Sequence, residues 1–326
     1  LFQKIPFAAL LLAHQADDAA ETALKRIFEG AHLTHLGGLA KHTQIEGMPV
    51  WRPFLEVPKR EILHFLKCRQ LQPILDPTNA DPRFLRSRFR QELFPQLEQS
   101  FGKAIRANLC QLSSRCLELQ EYLDRKIERV WDERREGPWG ICLDLRSLER
   151  TEARHALQKL CASYCQLVVS RDLLETWLDA LQEQKVDLVF AVKGRILRAD
   201  RGRAFVLTQK TPQFGAPVSL RQGRFVSGDW TMDISPFQGG DLPQPEWRDL
   251  WKGAFEAILP EGSLQLPGKD AHLQEEWRRA QIPAFFRKQI PVVMQEKKRL
   301  PWLVGRRARG EKMHWRVRFF IGLNTL

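Results

Sequence analysis

The chain has 326 residues, 43% of them hydrophobic and 28% charged, which allows a sizeable core and excludes a disordered polar tail. Its formal charge of +12 points to a polyanionic partner, nucleic acid first among them. Six cysteines (Cys68, Cys110, Cys116, Cys142, Cys161 and Cys165) show no CxxC pair and no metal spacing, so they read as reduced packing thiols of a cytoplasmic protein. Lys4 followed by IPFAALLLA imitates a signal peptide without a cleavage pattern, and no run approaches the roughly 20 apolar residues of a membrane span.

Ala8 to Ala13 is a continuous apolar run of strand length, the pattern of a strand buried on both faces in a parallel sheet. Asp17 to Glu29 reads as a helix, with Ala20, Leu24, Ile27 and Phe28 on one stripe and Gly30 closing it. A glycine-bearing loop leads to a short strand at Val50 to Phe54, and Pro58 opens a helix over PKREILHFLKCRQ. Residues 1–100 thus alternate strand and helix, the tail of an α/β domain. Phe101 to Arg135 predicts one long helix, followed by helices at Thr151 to Gln166 and Arg171 to Gln184. DLVFAV, RILRAD and AFVL form a turn-punctuated meander, so 101–211 is a helix-rich middle domain. Pro212, Gly215 and Pro217 mark a linker. Beyond it, PVSL, GRFV and TMDIS, a helix near Leu273 to Gln281, and the strand-like VVM, PWLV and MHWRVRFFIGL make 212–326 a small, basic α+β domain.

The stretch HQADDAAET, from His14 to Thr22, allows two readings. Asp18 with Glu21 three residues on fits a capping box with Asp18 as the cap, favoured by the helix dipole. His14, Asp17 and Asp18 also stand beyond the carboxyl end of the first strand, where open α/β sheets bind ligands. Spacings of three and four put Asp17, Asp18 and Glu21 on one helix face. Such acids receive an amine cation, or hold Mg²⁺ carrying a nucleotide, here at Asp17 and Asp18. They cannot take a phosphate directly without a metal or added basic groups. DPTNADPRFLRSRFR supplies those, with Arg83, Arg86 and Arg90 on one face of the next helix, although a solvated basic face has the same spacing.

HxxDDxxET after a buried strand, then WRPFLEVPKREI, then DPTNxDxxFxRxxxR resembles the tRNA(Ile)-lysidine synthetases of the PP-loop ATP pyrophosphatase superfamily. The likeness is strong over Leu10 to Arg90 and looser through LDLRSL, GRILRADRGRAFVL and IPAFFRKQIPVVMQEKKRLPWLVGRR. It implies the carboxy-terminal part of a parallel-sheet PP-loop domain, followed by the two domains outlined above. It also implies ATP and Mg²⁺ as cofactors, L-lysine as substrate, and tRNA(Ile) with a CAU anticodon as partner. The wobble cytidine is adenylylated and lysine then displaces AMP. Asp18, Glu21, Arg86 and His14 match the catalytic positions, with Asp17 and Arg90 in the Mg-ATP vicinity. Gln15, Ala19 and Ser87 depart from the family pattern. The Ser-Gly-Gly-x-Asp-Ser phosphate loop is absent, so the expectation is a chain truncated at its amino terminus. Two alternatives stay open: a non-catalytic tRNA-binding remnant, and another PP-loop tRNA modifier, against which the scattered cysteines count.

The tail alternates, with Lys312, His314, Arg316 and Arg318 on one side and Met313, Trp315, Val317 and Phe319 on the other. Together with Lys297, Lys298, Arg299, Arg306, Arg307 and Arg309 it is either a basic surface for the tRNA backbone or a charged edge strand blunted against aggregation. No membrane and no stable protein partner is implied, and a homodimer is left open.

Overall fold

The computed structural model describes residues 8–45, 47–74, 81–165, 169–239, 245–268, 270–295, 298–300 and 312–322. The chain is mixed α/β and forms two compact units, Leu1–Arg125 and Lys126–Leu326. Among the described residues no helix is long and apolar enough to cross a membrane.

The first unit runs β1 (Leu10–Leu11), α1 (Ala16–Phe28), β2 (His42–Ile45), β3 (Met48–Trp51) and α2 (Lys59–Cys68). Then come α3 (Leu85–Arg88), a π turn at Phe89–Leu93, α4 (Phe94–Phe101) and α5 (Ile105–Asp132), within which the boundary between the units falls. The sheet has the order β1-β3-β2, with β1 and β3 parallel and β2 and β3 an antiparallel hairpin. The apolar run at Ala8 to Ala13 is therefore not a strand covered on both faces. Its strand is two residues long, and Leu10 and Leu11 are 40% and 64% exposed because β1 pairs on one side only among the described residues. The hairpin strand β2 was hidden by the glycine-bearing loop, since HTQI has no apolar alternation to reveal it.

A small core under α1 joins Ala20 and Leu24 to Phe89 and Phe94. The two phenylalanines are five apart and meet edge to face, a spacing that the wider π turn admits. From behind, the Cys110 thiol of α5 reaches the Ala16 carbonyl at 3.1 Å, fixing the start of α1. The predicted long helix is present as the single helix α5 and starts at Ile105, because Gly102, with a left-handed φ of 58°, ends the preceding α4.

The second unit opens with β4 (Arg135–Gly137), β5 (Gly140–Asp144), α6 (Arg150–Leu160), α7 (Arg171–Gln182), β6 (Leu188–Val192), β7 (Arg195–Asp200) and β8 (Arg203–Leu207). The foreseen meander is present, and β4 and β5 extend it to a five-stranded antiparallel sheet, β4-β5-β8-β7-β6. Both faces of this sheet are covered. Ile141, Leu143, Ala204 and Val206 join a core with α6 and α7, while Cys142, Phe205 and Leu207 point into the second core. That explains why AFVL lacks polar alternation.

The chain continues through β9 (Val218–Ser219), β10 (Gly223–Ser227), β11 (Trp230–Pro236), α8 (Trp247–Lys252), β12 (Ala254–Leu259) and β13 (Ser263–Gln265). It ends with α9 (Ala271–Arg279), α10 (Ala284–Arg287), β14 (Val292–Gln295), β15 (Lys298–Leu300) and β16 (Trp315–Ile321). Two four-stranded sheets result, β10-β11-β16-β12 and β15-β14-β13-β9. Trp139, Trp230, Trp251 and Phe319 anchor their shared core. The edge-strand reading of the tail is corrected here, because β16 lies between β11 and β12 and is paired along both sides. Trp315, Val317, Phe319 and Ile321 face the core, which requires an interior strand.

Candidate active site

The first turn of α1 carries the acids, and its cap decides their placement. Gln15, not Asp18, is the N-cap. Its Oε1 accepts from the Asp17 amide at 2.7 Å, while Asp18 Oδ2 accepts from the Gln15 amide at 3.0 Å. The predicted capping box thus closes three residues earlier, with Asp18 in the third helical position. Glu21 is left with no capping duty. It is 1% exposed and faces the arginine helix.

Arg90, in the π turn, closes over both acids. Its Nη2 donates to Asp18 Oδ1 at 2.7 Å and to Glu21 Oε2 at 3.0 Å, and its Nε donates to Glu21 Oε1. Burial pushes the Glu21 carboxyl above its ordinary range, and the Arg90 hydrogen bond offsets only part of this. Conversely, the bond to Glu21 raises the Arg90 guanidinium. Arg86, four residues before Arg90, is exposed and lines a hollow with Glu21, Lys25, Arg26, Glu29 and Phe89. Its charge acts on Glu21 without a direct bond. Arg83 lies ahead of α3 and binds Asp81 at 2.6 Å, so it does not share the face expected of it.

His14 is held elsewhere. Its Nδ1 accepts from Arg52 Nε at 3.3 Å, and Arg52 Nη1 donates to the Ala40 carbonyl at 2.9 Å. Sequence reasoning missed Arg52, although it stands in the quoted WRPFLEV. Nothing in local spacing shows that an arginine after a strand turns inward.

A Mg²⁺ donor set at Asp17 and Asp18 does not fit this arrangement. Both oxygens of Asp18 and both of Glu21 are engaged by Arg90 or a backbone N–H. Among the described residues no group of three or more His, Cys, Asp or Glu could hold a metal ion.

On the second unit, Arg316 and Arg318 project from β16 on the face away from the core, but neither guanidinium is free. Glu256 of β12 accepts two bonds from Arg316, at 2.6 and 2.8 Å, and one from Arg318 at 3.1 Å. The cross-strand row Arg224, Asp233, Arg318, Glu256 alternates in sign across all four strands. Arg306, Arg307 and Arg309 lie outside the described residues.

In this α/β unit, acids at a helix start after a parallel strand are clamped by an arginine of the π turn that follows α3. Residues 2–97 match the PP-loop domain family. Over 301 residues the chain is 30% identical to the tRNA(Ile)-lysidine synthase of Protochlamydia amoebophila, covering 88% of this chain and 66% of that protein. It is 48% identical over 120 residues to the enzyme of Chlamydia muridarum, covering 37% of each protein. Against the enzyme of Chlamydia trachomatis serovar D it is 38% identical over 182 residues, 54% of this chain and 55% of that one. These alignments take in less than two thirds of each relative. The chain belongs to the tRNA(Ile)-lysidine synthase family of PP-loop proteins.

Proposed function

We propose that this protein ligates lysine to the wobble cytidine of tRNA(Ile) with a CAU anticodon, through an adenylylated base, releasing AMP and pyrophosphate. The observation that carries the reading is the clamp of Asp18 and Glu21 by Arg90 at the carboxyl end of the β1–β3 pair. Two carboxylates share one guanidinium there, which leaves net negative charge for the lysine ammonium. Glu21, with its raised affinity for protons, accepts one as the amine attacks, and Arg86 and Arg90 stabilise the departing phosphate. Mg²⁺ would supply counter-charge for the phosphates of ATP, and no step is assigned to a metal held by Asp17 or Asp18.

In this reading 1–100 serves the nucleotide chemistry as the carboxy-terminal part of a parallel-sheet PP-loop domain, 101–211 is a middle domain, and 212–326 binds the tRNA. Arg306, Arg307, Arg309, Arg316 and Arg318 are the proposed backbone contacts. The reaction belongs in the cytoplasm, where thiols such as the exposed Cys68 stay reduced.

The test is mass spectrometry of tRNA(Ile) after incubation with ATP, lysine and the protein expressed from its natural reading frame. Asp18→Asn and Arg90→Ala should each reduce lysidine by about a hundredfold or more, the scale of removing one preorganised electrostatic partner. Unchanged yield in Asp18→Asn sinks the site assignment. No lysidine from the unsubstituted protein, with tRNA binding retained, favours a non-catalytic RNA-binding role.

A further inference from the structure

Most strands that end a sheet in this protein are guarded. β4, β10, β12 and β15 each contain a charged residue, β2 reads HTQI, and β1 and β9 are two residues long. Charge, polarity and shortness each hinder pairing with another chain. β6 has none of these protections. It reads LVFAV, and among the described residues it pairs with β7 on one side only. The amides and carbonyls of its other side are open to a further strand.

The core accounts for only part of this apolar run. Phe190 and Val192 pack on the core shared with α6 and α7. Val189 and Ala191 lie on the opposite face and are exposed, Val189 to 53%. Ile196 of β7, directly across from Ala191, is 41% exposed. An uncovered apolar patch therefore adjoins an unpaired strand edge.

The residues of this edge fit a second copy of themselves. The segment DLVFAVK, Asp187 to Lys193, is nearly symmetric about Phe190. Antiparallel pairing of two copies on a twofold axis through Phe190 sets Leu188 against Val192, Val189 against Ala191 and Asp187 against Lys193. Each of these pairs is made twice. The terminal pair is complementary in charge. Lys193 is exposed and has no ion pair among the described residues, while Asp187, which accepts from Arg198, keeps its side chain 37% exposed. Parallel pairing in register would place like charges together instead.

We propose that the free edge of β6 is the interface of a homodimer, in which the five-stranded sheets of two copies join into one continuous antiparallel sheet. β6 has a single open side, so the pairing closes at two copies. One strand pair is small beside the interfaces of stable dimers, and the association is correspondingly weak. The proposal is independent of the ligation chemistry.

Sedimentation of the protein from its natural reading frame over a concentration series tests it. The unsubstituted protein should pass from monomer to dimer and go no further. Val189→Glu and Ala191→Lys each bring a charge to the apolar face and should raise the dissociation constant about tenfold or more. Both sites are exposed, so the melting transition should stay in place. Combined in one chain, the two substitutions face each other across the axis with opposite charge and should recover most of the association. Lys193→Gln should weaken the dimer by only roughly threefold, and by less at high salt. A monomer at every concentration overturns the proposal. So does a dimer indifferent to Val189→Glu and Ala191→Lys, because another surface would then hold it. Growth beyond the dimer overturns the closed pairing, and no recovery in the double variant overturns the register about Phe190.

Discussion

Glu21 is under two opposed influences, burial and the Arg90 guanidinium, and burial prevails. Between the ordinary carboxylate range and the raised value, the folded state binds more protons than the unfolded state. Stability should therefore fall as pH rises through that window. Urea unfolding across mildly acid pH should show this slope, and Glu21→Gln should flatten it. Cys142 offers a separate check, because burial pushes its thiol up to about 12, whereas Cys68 is exposed. Iodoacetamide should label Cys68 in the native protein and spare Cys142 until unfolding, as peptide mapping would reveal. Asp200 and Arg203 form a fully buried pair, so Asp200→Asn leaves a charge uncompensated and should cost about 3–5 kcal/mol in chemical denaturation.

At the scale of elements, β16 combines two tasks that its sequence blends together. Its inward residues fill the aromatic core, while its outward arginines form cross-strand pairs with Glu256. Arg316 and Arg318 share that carboxylate, so, on the proposed tRNA-binding role, neutralising both should lower the salt dependence of tRNA binding less than neutralising Arg306, Arg307 and Arg309 together. Filter binding across a salt series measures the difference. Glu256→Gln should strengthen tRNA binding if phosphates compete for the same two guanidiniums. The second sheet depends on a close approach at the start of β5. A Cβ on Gly140 would lie 2.0 Å from the Val206 carbonyl oxygen, and its φ of +127° is itself unfavourable for other residues. Gly140→Ala should therefore destabilise the second unit by about 3 kcal/mol or more, read from its melting transition.

For the whole molecule, the two units differ in how much apolar surface they cover. The second has two extensive cores, whereas the first has a small one, and Phe28, Phe54 and Phe65 remain exposed in it. Amides of α1 and β3 should consequently exchange with solvent well before those of β8 and β16.

Much of this was legible in the chain alone. The periodicity that marks α1, α2, α6, α7 and the β6–β8 meander is local, because helix and strand repeat their side chains at 3.6 and 2 residues. The nearness of Asp18 to Glu21 follows from the same helical spacing, whereas Arg83, placed on the Arg86 face by spacing, lies ahead of α3 and pairs with Asp81. Partners distant in sequence were not legible. Arg90 as the clamp across 69 residues and Arg52 beside His14 each depend on how elements pack. The exposure of β1 and the interior position of β16 likewise depend on which strands become neighbours, and a run of apolar or alternating residues is compatible with either outcome. By itself the sequence determined the elements and the kind of chemistry, both short-range properties. The tertiary structure alone decided which acid is buried and which arginine pairs with it, because those depend on burial and on pairs far apart in the chain.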